Sequence, residues 1–426
     1  MTHADSGAAS ETNSHPWRVG TATATITPDD ESLPLAGFAA RDGPMEGIDQ
    51  DVHAKAVAIE DAAGTRQLMV SVEILSVRPS LRRWLAERCA EEFDLPPESL
   101  LLTVTHTHYA PAYGVREDEL VEDAGNESLE DVDEESRRIA AYRAELETAL
   151  FSAVERALSD LEPAELSHTR GRCSIAMSRR RPTEDGIAFS PYPDGPTNHE
   201  VPVLAAETDD GLKAIVFGYA CHPTSVNVHN RVTGDWPGYA MEFLESDHPD
   251  ATAVFLIGCA GDQKAYPQGS LTLTKQHGRT MANAVSAVLD APRKPVGGPL
   301  ERCLEETTLS FISPSGGGNG GDETVATKPY PVQAVGFGSD LTLVALAGEA
   351  VVGYSHLVAD ELSGDVWVSA YANDGFGYVP TVRVLHEGGY EANRAWGNPG
   401  DFDPSVEERV VEHACALAQR VGARRE

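Results

Sequence analysis

Two kinds of apolar patterning alternate along the 426 residues. Short, nearly unbroken apolar runs read as strands buried on both faces. They cover residues 66–72, 99–105, 212–221, 251–257, 341–347 and 365–371. Between them, apolar positions recur at helical spacing. Leu81, Trp84, Leu85 and Cys89 share one face of a helix predicted over 80–93, with Ser80 near its start. Further helices are predicted over 137–158, 350–362 and 405–421. Buried strands alternating with helices predict an α/β fold: one large domain, a twisted mixed β-sheet core flanked by helices. Residues 1–15 are polar and predict a disordered tail. The acidic stretch 117–135 reads as a solvated surface loop. The Gly-rich stretch 313–322 reads as a flexible connection, because it lacks the Lys-Ser/Thr that a phosphate loop requires.

The chemical signal lies just beyond the strands. The run 99–105 leads into His106-Thr107-His108, and 212–221 into His222-Pro223-Thr224. Likewise 251–257 leads to Gly261-Asp262, 341–347 to Glu349, and 365–371 to Asn373-Asp374. Ligands of open α/β sheets bind beyond the carboxyl ends of strands, so these five ends predict one convergent, strand-end metal site. In extended backbone a His-x-His pair points its rings to opposite faces. One ring would then ligate a metal and the other face substrate, unless a turn brings both round. His222 stands before a proline that ends its strand, beside Thr224, Ser225 and Asn227, which favours a ligand or catalyst over a core histidine. Glu349 ends an apolar strand, where a carboxylate must be paired, bind metal or charge the start of a helix. A His-x-His-x-Asp-His site fails, since Tyr109 and Ala110 come directly after His108. An amidohydrolase barrel also fails, since only His222 stands at a suitable later strand end.

Charge narrows the partners. The chain has 67 Asp+Glu against 33 Lys+Arg, a formal net charge of −34, and only six of the basic residues are lysines. Such a surface excludes nucleic-acid binding through a basic face and electrostatic adhesion to anionic lipid. With 41% hydrophobic residues it leaves room for a sizeable core, and the acid-rich, lysine-poor balance suits a salt-loaded cytoplasm. No apolar run is long enough to span a membrane, and the N-terminal stretch has no signal-peptide pattern, so a soluble cytoplasmic protein is expected. The six cysteines are scattered without Cys-x-x-Cys and read as buried thiols.

Taken in order, these motifs resemble the catalytic domain of the neutral (non-lysosomal) ceramidase family, zinc-dependent amidases that cleave the N-acyl bond of ceramide. The stretch from Val19 to Pro28 resembles the family's opening strand, and Leu35-Ala36-Gly37-Phe38-Ala39 its Gly-Tyr-Ala turn. Thr105-His106-Thr107-His108 followed by Pro111 is similar to Thr-His-Thr-His-Ser-Gly-Pro. His222 to Asn227, Gly234-Asp235 and Gly238-Tyr239-Ala240 resemble a second ligand segment, and Ala347-Gly348-Glu349 the family's Pro-Gly-Glu. Asn373 to Tyr378, then Tyr390-Glu391-Ala392, resemble its paired tyrosines. The resemblance implies a zinc ion held by His106, His222, Glu349 and Tyr378. It implies His108 and Tyr390 as proton carrier and oxyanion stabiliser, with Arg179, or else Arg180, on the substrate or oxyanion. The implied substrate is a small-molecule or lipid-like N-acyl compound, ceramide-like or smaller. A zinc esterase or lactonase, or a non-catalytic binding homologue, is the alternative. Two departures stand out. Where the family carries Gly-Asp-Val-Ser-Pro, this chain has Gly261-Asp262-Gln263-Lys264-Ala265, so the chemistry is expected to rest on metal-activated water. The family's C-terminal β-sandwich is also without a counterpart, so residues 16–426 are expected to form the catalytic domain alone.

Overall fold

A computed structural model of the chain describes residues 16–116, 119, 132–313, 324–392 and 398–425. The expected tail, most of the acidic stretch and all but the first residue of the Gly-rich connection lie outside the described residues. The chain runs through strands β1 (Trp17–Thr25), β2 (His53–Asp61) and β3 (Arg66–Val72), helix α1 (Pro79–Phe93), β4 (Leu100–Val104) and helix α2 (Glu134–Ser159). Next come β5 (Glu162–Arg172), β6 (Ala176–Thr183), β7 (Gly186–Tyr192), β8 (Glu200–Thr208), β9 (Gly211–Tyr219), helix α3 (Asp235–Asp247), β10 (Thr252–Ile257) and β11 (Gln263–Ala265). Helix α4 (Leu271–Leu289) leads to β12 (Lys294–Val296) and the long hairpin β13 (Leu300–Ile312) and β14 (Thr324–Phe337). The last part holds β15 (Leu341–Leu346), β16 (Glu349–Ala350), α5 (Gly353–Asp360), β17 (Leu362–Ser363), β18 (Val366–Ser369), β19 (Tyr378–Val379), α6 (Val382–Glu387), β20 (Asp401–Phe402) and α7 (Val406–Arg420).

Two mixed sheets form the core. The larger runs in the order β10-β9-β8-β5-β1-β2-β3-β4, with β12 on β5, and the smaller in the order β18-β15-β14-β13-β20. Inner-face residues of both meet in one apolar layer that includes Trp17, Val57, Met69, Val216, Val254, Leu343 and Trp367. Alternate residues of the same strands, such as Val70, Leu102, Phe217, Phe255 and Val344, pack outward against helix residues such as Leu85, Leu150, Leu244, Val285 and Leu417. The strands are therefore covered on both sides, which is why they read as continuous apolar runs. The expected twisted mixed core with flanking helices is the observed architecture. All six cysteines are buried and free.

Differences from the sequence expectation gather near the strand ends. The strand expected over 365–371 stops at Ser369, because Tyr371 and Asn373 take φ of 55° and 64°. The helix expected from residue 350 begins at Gly353, because Glu349 and Ala350 pair in parallel with Tyr378 and Val379. Helices α3 and α4 escaped the pattern reading. The buried face of α4 contains Thr274, His277 and Gly278, which break its apolar period.

Candidate metal centre and active site

The ends of β4, β9 and β15 meet at one point. Beyond β4, His106 adopts φ of 65°, a conformation that a non-glycine residue holds at a cost of about 1–3 kcal/mol. This is the turn that brings both rings of His106 and His108 round. Their Nε2 atoms stand 3.2 Å apart, not on opposite faces. Gly37, at φ of 109°, lies so close to the His108 ring that a Cβ there would come within 2.5 Å of Nδ1. Beyond β15, Gly348 takes φ of 64° and turns the chain so that Glu349 faces the histidines. His222 lies beyond β9, and its backbone N–H donates to the Gln263 carbonyl at 3.1 Å.

The polarity of the rings is set from behind. His106 Nδ1 donates to the Leu75 carbonyl at 2.6 Å, and His222 Nδ1 to the Ala260 carbonyl at 2.7 Å. In the neutral rings both Nε2 atoms must therefore present lone pairs. They face a carboxylate oxygen: Glu349 Oε2 is 3.1 Å from His222 Nε2 and 3.5 Å from His106 Nε2. Three acceptors so close repel one another unless a cation sits among them or a ring is protonated. Protonation is opposed, because burial pushes the pKa of His106 down and that of His222 well down. A metal ion fits this donor set. The ligand atoms of His106, His108 and His222 all lie within 4.8 Å of one another. His108 differs in one respect: its buried Nδ1 has no hydrogen-bond partner among the described residues. Burial, then the neighbouring His106 and His222, hold its pKa well below the usual histidine range.

Tyr378 stacks on His222 with ring centres 6.4 Å apart. Burial pushes its pKa well up, against the pull of Arg179, whose guanidinium donates to the phenol oxygen at 2.9 Å. Arg179 is buried, donating also to Glu391 at 2.8 Å and to the Gly261 carbonyl at 2.6 Å. Burial works against its charge, but Tyr378 and Glu391 prevail and raise its pKa well above the usual value. Arg180 stands one step back, on Glu391 at 2.6 Å, Glu387 at 3.1 Å and the Gly388 carbonyl at 2.7 Å. Of the two arginines it is Arg179 that reaches the site. Tyr390 is hydrogen-bonded to Tyr378 and lies under the Arg179 guanidinium, 5.6 Å from its ring centre. At 39% exposure it marks the open side, together with Phe189 at 49%.

A cavity of about 190 Å³ adjoins the cluster, lined by Leu75, Val77, His106, Glu349 and Tyr371 among others. Tyr371 was not singled out from the sequence. Its ring centre is 4.6 Å from that of His106, and its buried hydroxyl has no partner among the described residues. No local motif marks it; its positive φ is visible only in three dimensions. Asn373 and Asp374, expected at the convergent site, lie elsewhere. Asn373 accepts from Arg82 at 3.1 Å and donates to Gln333 at 2.9 Å, and both residues line a different cavity. Asp262 accepts from Val352 N–H at 2.8 Å and does not join the histidines.

A mixed α/β core thus carries a strand-end cluster of imidazoles and a carboxylate that could hold a metal ion. The sequence profile of the neutral/alkaline non-lysosomal ceramidase N-terminal region matches residues 17–262. The chain belongs to that ceramidase family. The fold is similar to the crystal structure of neutral ceramidase from Pseudomonas aeruginosa, with a TM-score of 0.72, 18% identity, and coverage of 96% of this chain and 75% of that one. A ceramidase complexed with C2 matches with a TM-score of 0.73 and 18% identity, covering 95% of this chain and 76% of that one. No curated protein sequence matches it. No helix among the described residues is long and apolar enough to cross a membrane.

Proposed function

We propose that the protein is a zinc-dependent hydrolase that cleaves the amide bond of an N-acyl substrate. The observation that carries this is the meeting of His106 Nε2, His222 Nε2 and Glu349 Oε2, three lone-pair donors with no proton between them. Zinc takes such an N/O set with an open position. Its ligands would be His106, His222, Glu349 and Tyr378, the last with its phenolate stabilised by Arg179. When bound, zinc polarises a carbonyl and brings the pKa of water to about 7.

The remaining groups supply positioning and proton transfer. His108 lacks the carbonyl anchor that fixes the other two tautomers, and metal ligands ordinarily have such an anchor. It therefore serves as the proton carrier, taking a proton from water and delivering it to the leaving nitrogen. Burial keeps it neutral and able to accept. Tyr390 on the open side and Arg179 buried beneath it would hold the developing oxyanion, where one such donor contributes on the order of a hundredfold or more. The amide C–N bond breaks, a C–O bond to the water oxygen forms, and a carboxylate and an amine leave.

The long-chain N-acyl substrate of the family and a shorter, more polar relative both fit this chemistry. A panel of N-acyl amides, esters, lactones and phosphoesters offered to zinc-loaded protein in molar salt tests the reading. Selective amide cleavage is expected. Cleavage of esters or lactones with no amide turnover would replace amidase by esterase.

A further inference from the structure

Lys264 lies in β11 and takes no part in the chemistry proposed above. Among the chain's six lysines only Lys55 and Lys264 are buried, at 3% and 7% exposure. Lys55 has a carboxylate partner, Glu245 at 2.5 Å. Lys213 and Lys294, nearer the surface, are also paired with acids, the latter with Asp365 at 2.6 Å. The Lys264 ammonium has no hydrogen bond or ion pair among the described residues, although the chain holds about two acids for every base. Desolvating an ammonium without a counter-ion is costly, and an anion supplied by a ligand would offset that cost.

Its position is fixed. Lys264 forms a backbone bridge with His222 and pairs with Met177 of β6, two residues before Arg179. Its Nζ lies 5.8 Å from the ring centre of Phe189, on which Arg179 also sits at 4.7 Å. Phe189 in turn meets Tyr390 edge-on at 5.1 Å. The lysine thus stands buried beneath the exposed aromatic rim of the histidine cluster, sharing the Phe189 ring with the arginine expected to face substrate. Arg179 is neutralised by Glu391, whereas no carboxylate among the described residues pairs with Lys264. On a molecule of charge −34, an anionic substrate is repelled until it meets a fixed cation within the site.

We infer that Lys264 recognises an anionic group of the substrate, and that the protein acts on N-acyl compounds bearing a carboxylate beside the scissile amide, of the N-acyl amino acid class. This rests on the amide-hydrolase reading proposed above.

The test compares N-octanoylglycine with N-octanoylethanolamine, which differ in a carboxylate in place of a hydroxymethyl group, on zinc-loaded protein in buffered salt. Wild type should favour the glycine conjugate by about tenfold or more in kcat/KM, consistent with a charge-assisted contact. Lys264→Met should bring the ratio near unity, mainly through KM for the anionic substrate, while Lys264→Arg should retain the preference. A wild type without that preference, or a Lys264→Met protein with an unaltered ratio, overturns the inference. Should Lys264→Met fail to fold, Lys264→Gln and Lys264→Arg make the same comparison. If neither amide is cleaved, the amidase reading fails, and calorimetric binding of N-octanoylglycine decides for Lys264 separately. Tenfold weaker binding in Lys264→Met than in wild type sustains anion recognition, and equal binding overturns it.

Discussion

His222 Nε2 lies 3.1 Å from Glu349 Oε2, and both atoms present lone pairs, because the other ring nitrogen of His222 already donates to the Ala260 carbonyl. This pairing is favourable only around a cation. Glu349→Gln replaces one acceptor with an amide that can donate to His222. Zinc affinity measured by competition with a chromophoric chelator should fall by tenfold or more. The metal-free variant should melt no lower than metal-free wild type, since an acceptor clash has become a hydrogen bond worth about 1 kcal/mol. A metal-free Glu349→Gln protein that melts well below wild type would show that the carboxylate is held by protons, not by metal.

Arg179 and Arg180 separate catalysis from support. Arg179→Lys keeps a charge against Glu391 but loses the forked contact to Tyr378 and the Gly261 carbonyl. Turnover should drop on the order of a hundredfold with a small change in melting temperature. Arg180→Lys touches only Glu391, Glu387 and the Gly388 carbonyl, and should lower the melting temperature more than kcat. Parallel kinetics and thermal melts check the contrast; equal loss of kcat in both variants would remove it.

Stability should track the buried His168. Burial, then the neighbouring Arg170, pushes its pKa down to about 4. Above about pH 6.5 neither the folded nor the unfolded state is protonated there. Between that value and about 4 the unfolded chain takes up a proton that the folded chain refuses, so this residue's contribution falls as pH falls, by up to about 1.4 kcal/mol per pH unit. Urea unfolding of wild type and His168→Asn from pH 7 to pH 4.5 should show the flatter profile in the variant. Parallel profiles would mean the ring is charged in the fold.

The charge of −34 makes salt a stabiliser. Screening shortens from about 10 Å at 0.1 M to about 3 Å at 1 M, so self-repulsion between surface carboxylates fades. The melting temperature should rise steadily between these concentrations and beyond. A melting temperature indifferent to salt would remove the reading of a surface suited to a salt-loaded cell.

The legible parts of the fold were those whose packing repeats in sequence. Strands β3, β4, β9, β10 and β15 are buried on both faces, so each stood out as an apolar run, and α1, α2 and α7 kept their apolar stripe. Helix α4 did not, since Gly278 packs against Tyr239 and Ala240 and polar Thr274 and His277 are buried. At the site, the residues that converge were legible because metal-capable side chains come directly after those apolar runs. Backbone geometry left no such pattern: neither the Leu75 and Ala260 carbonyls that fix the rings nor the positive φ values of His106 and Tyr371 have a sequence signature. The same backbone effect turned Asn373 away from the place its strand end suggested.

The central claim is that a metal held by these residues drives amide hydrolysis, and one measurement reaches it most directly. Release of free amine from an N-acyl substrate panel is followed on protein carrying about one zinc per chain, before and after treatment with a chelator, and after zinc is returned. Hydrolysis should be lost with the zinc and restored with it, and should be absent from zinc-loaded His106→Ala protein. Amine release that survives complete zinc removal, or no release from any substrate by zinc-loaded wild type, would contradict the claim.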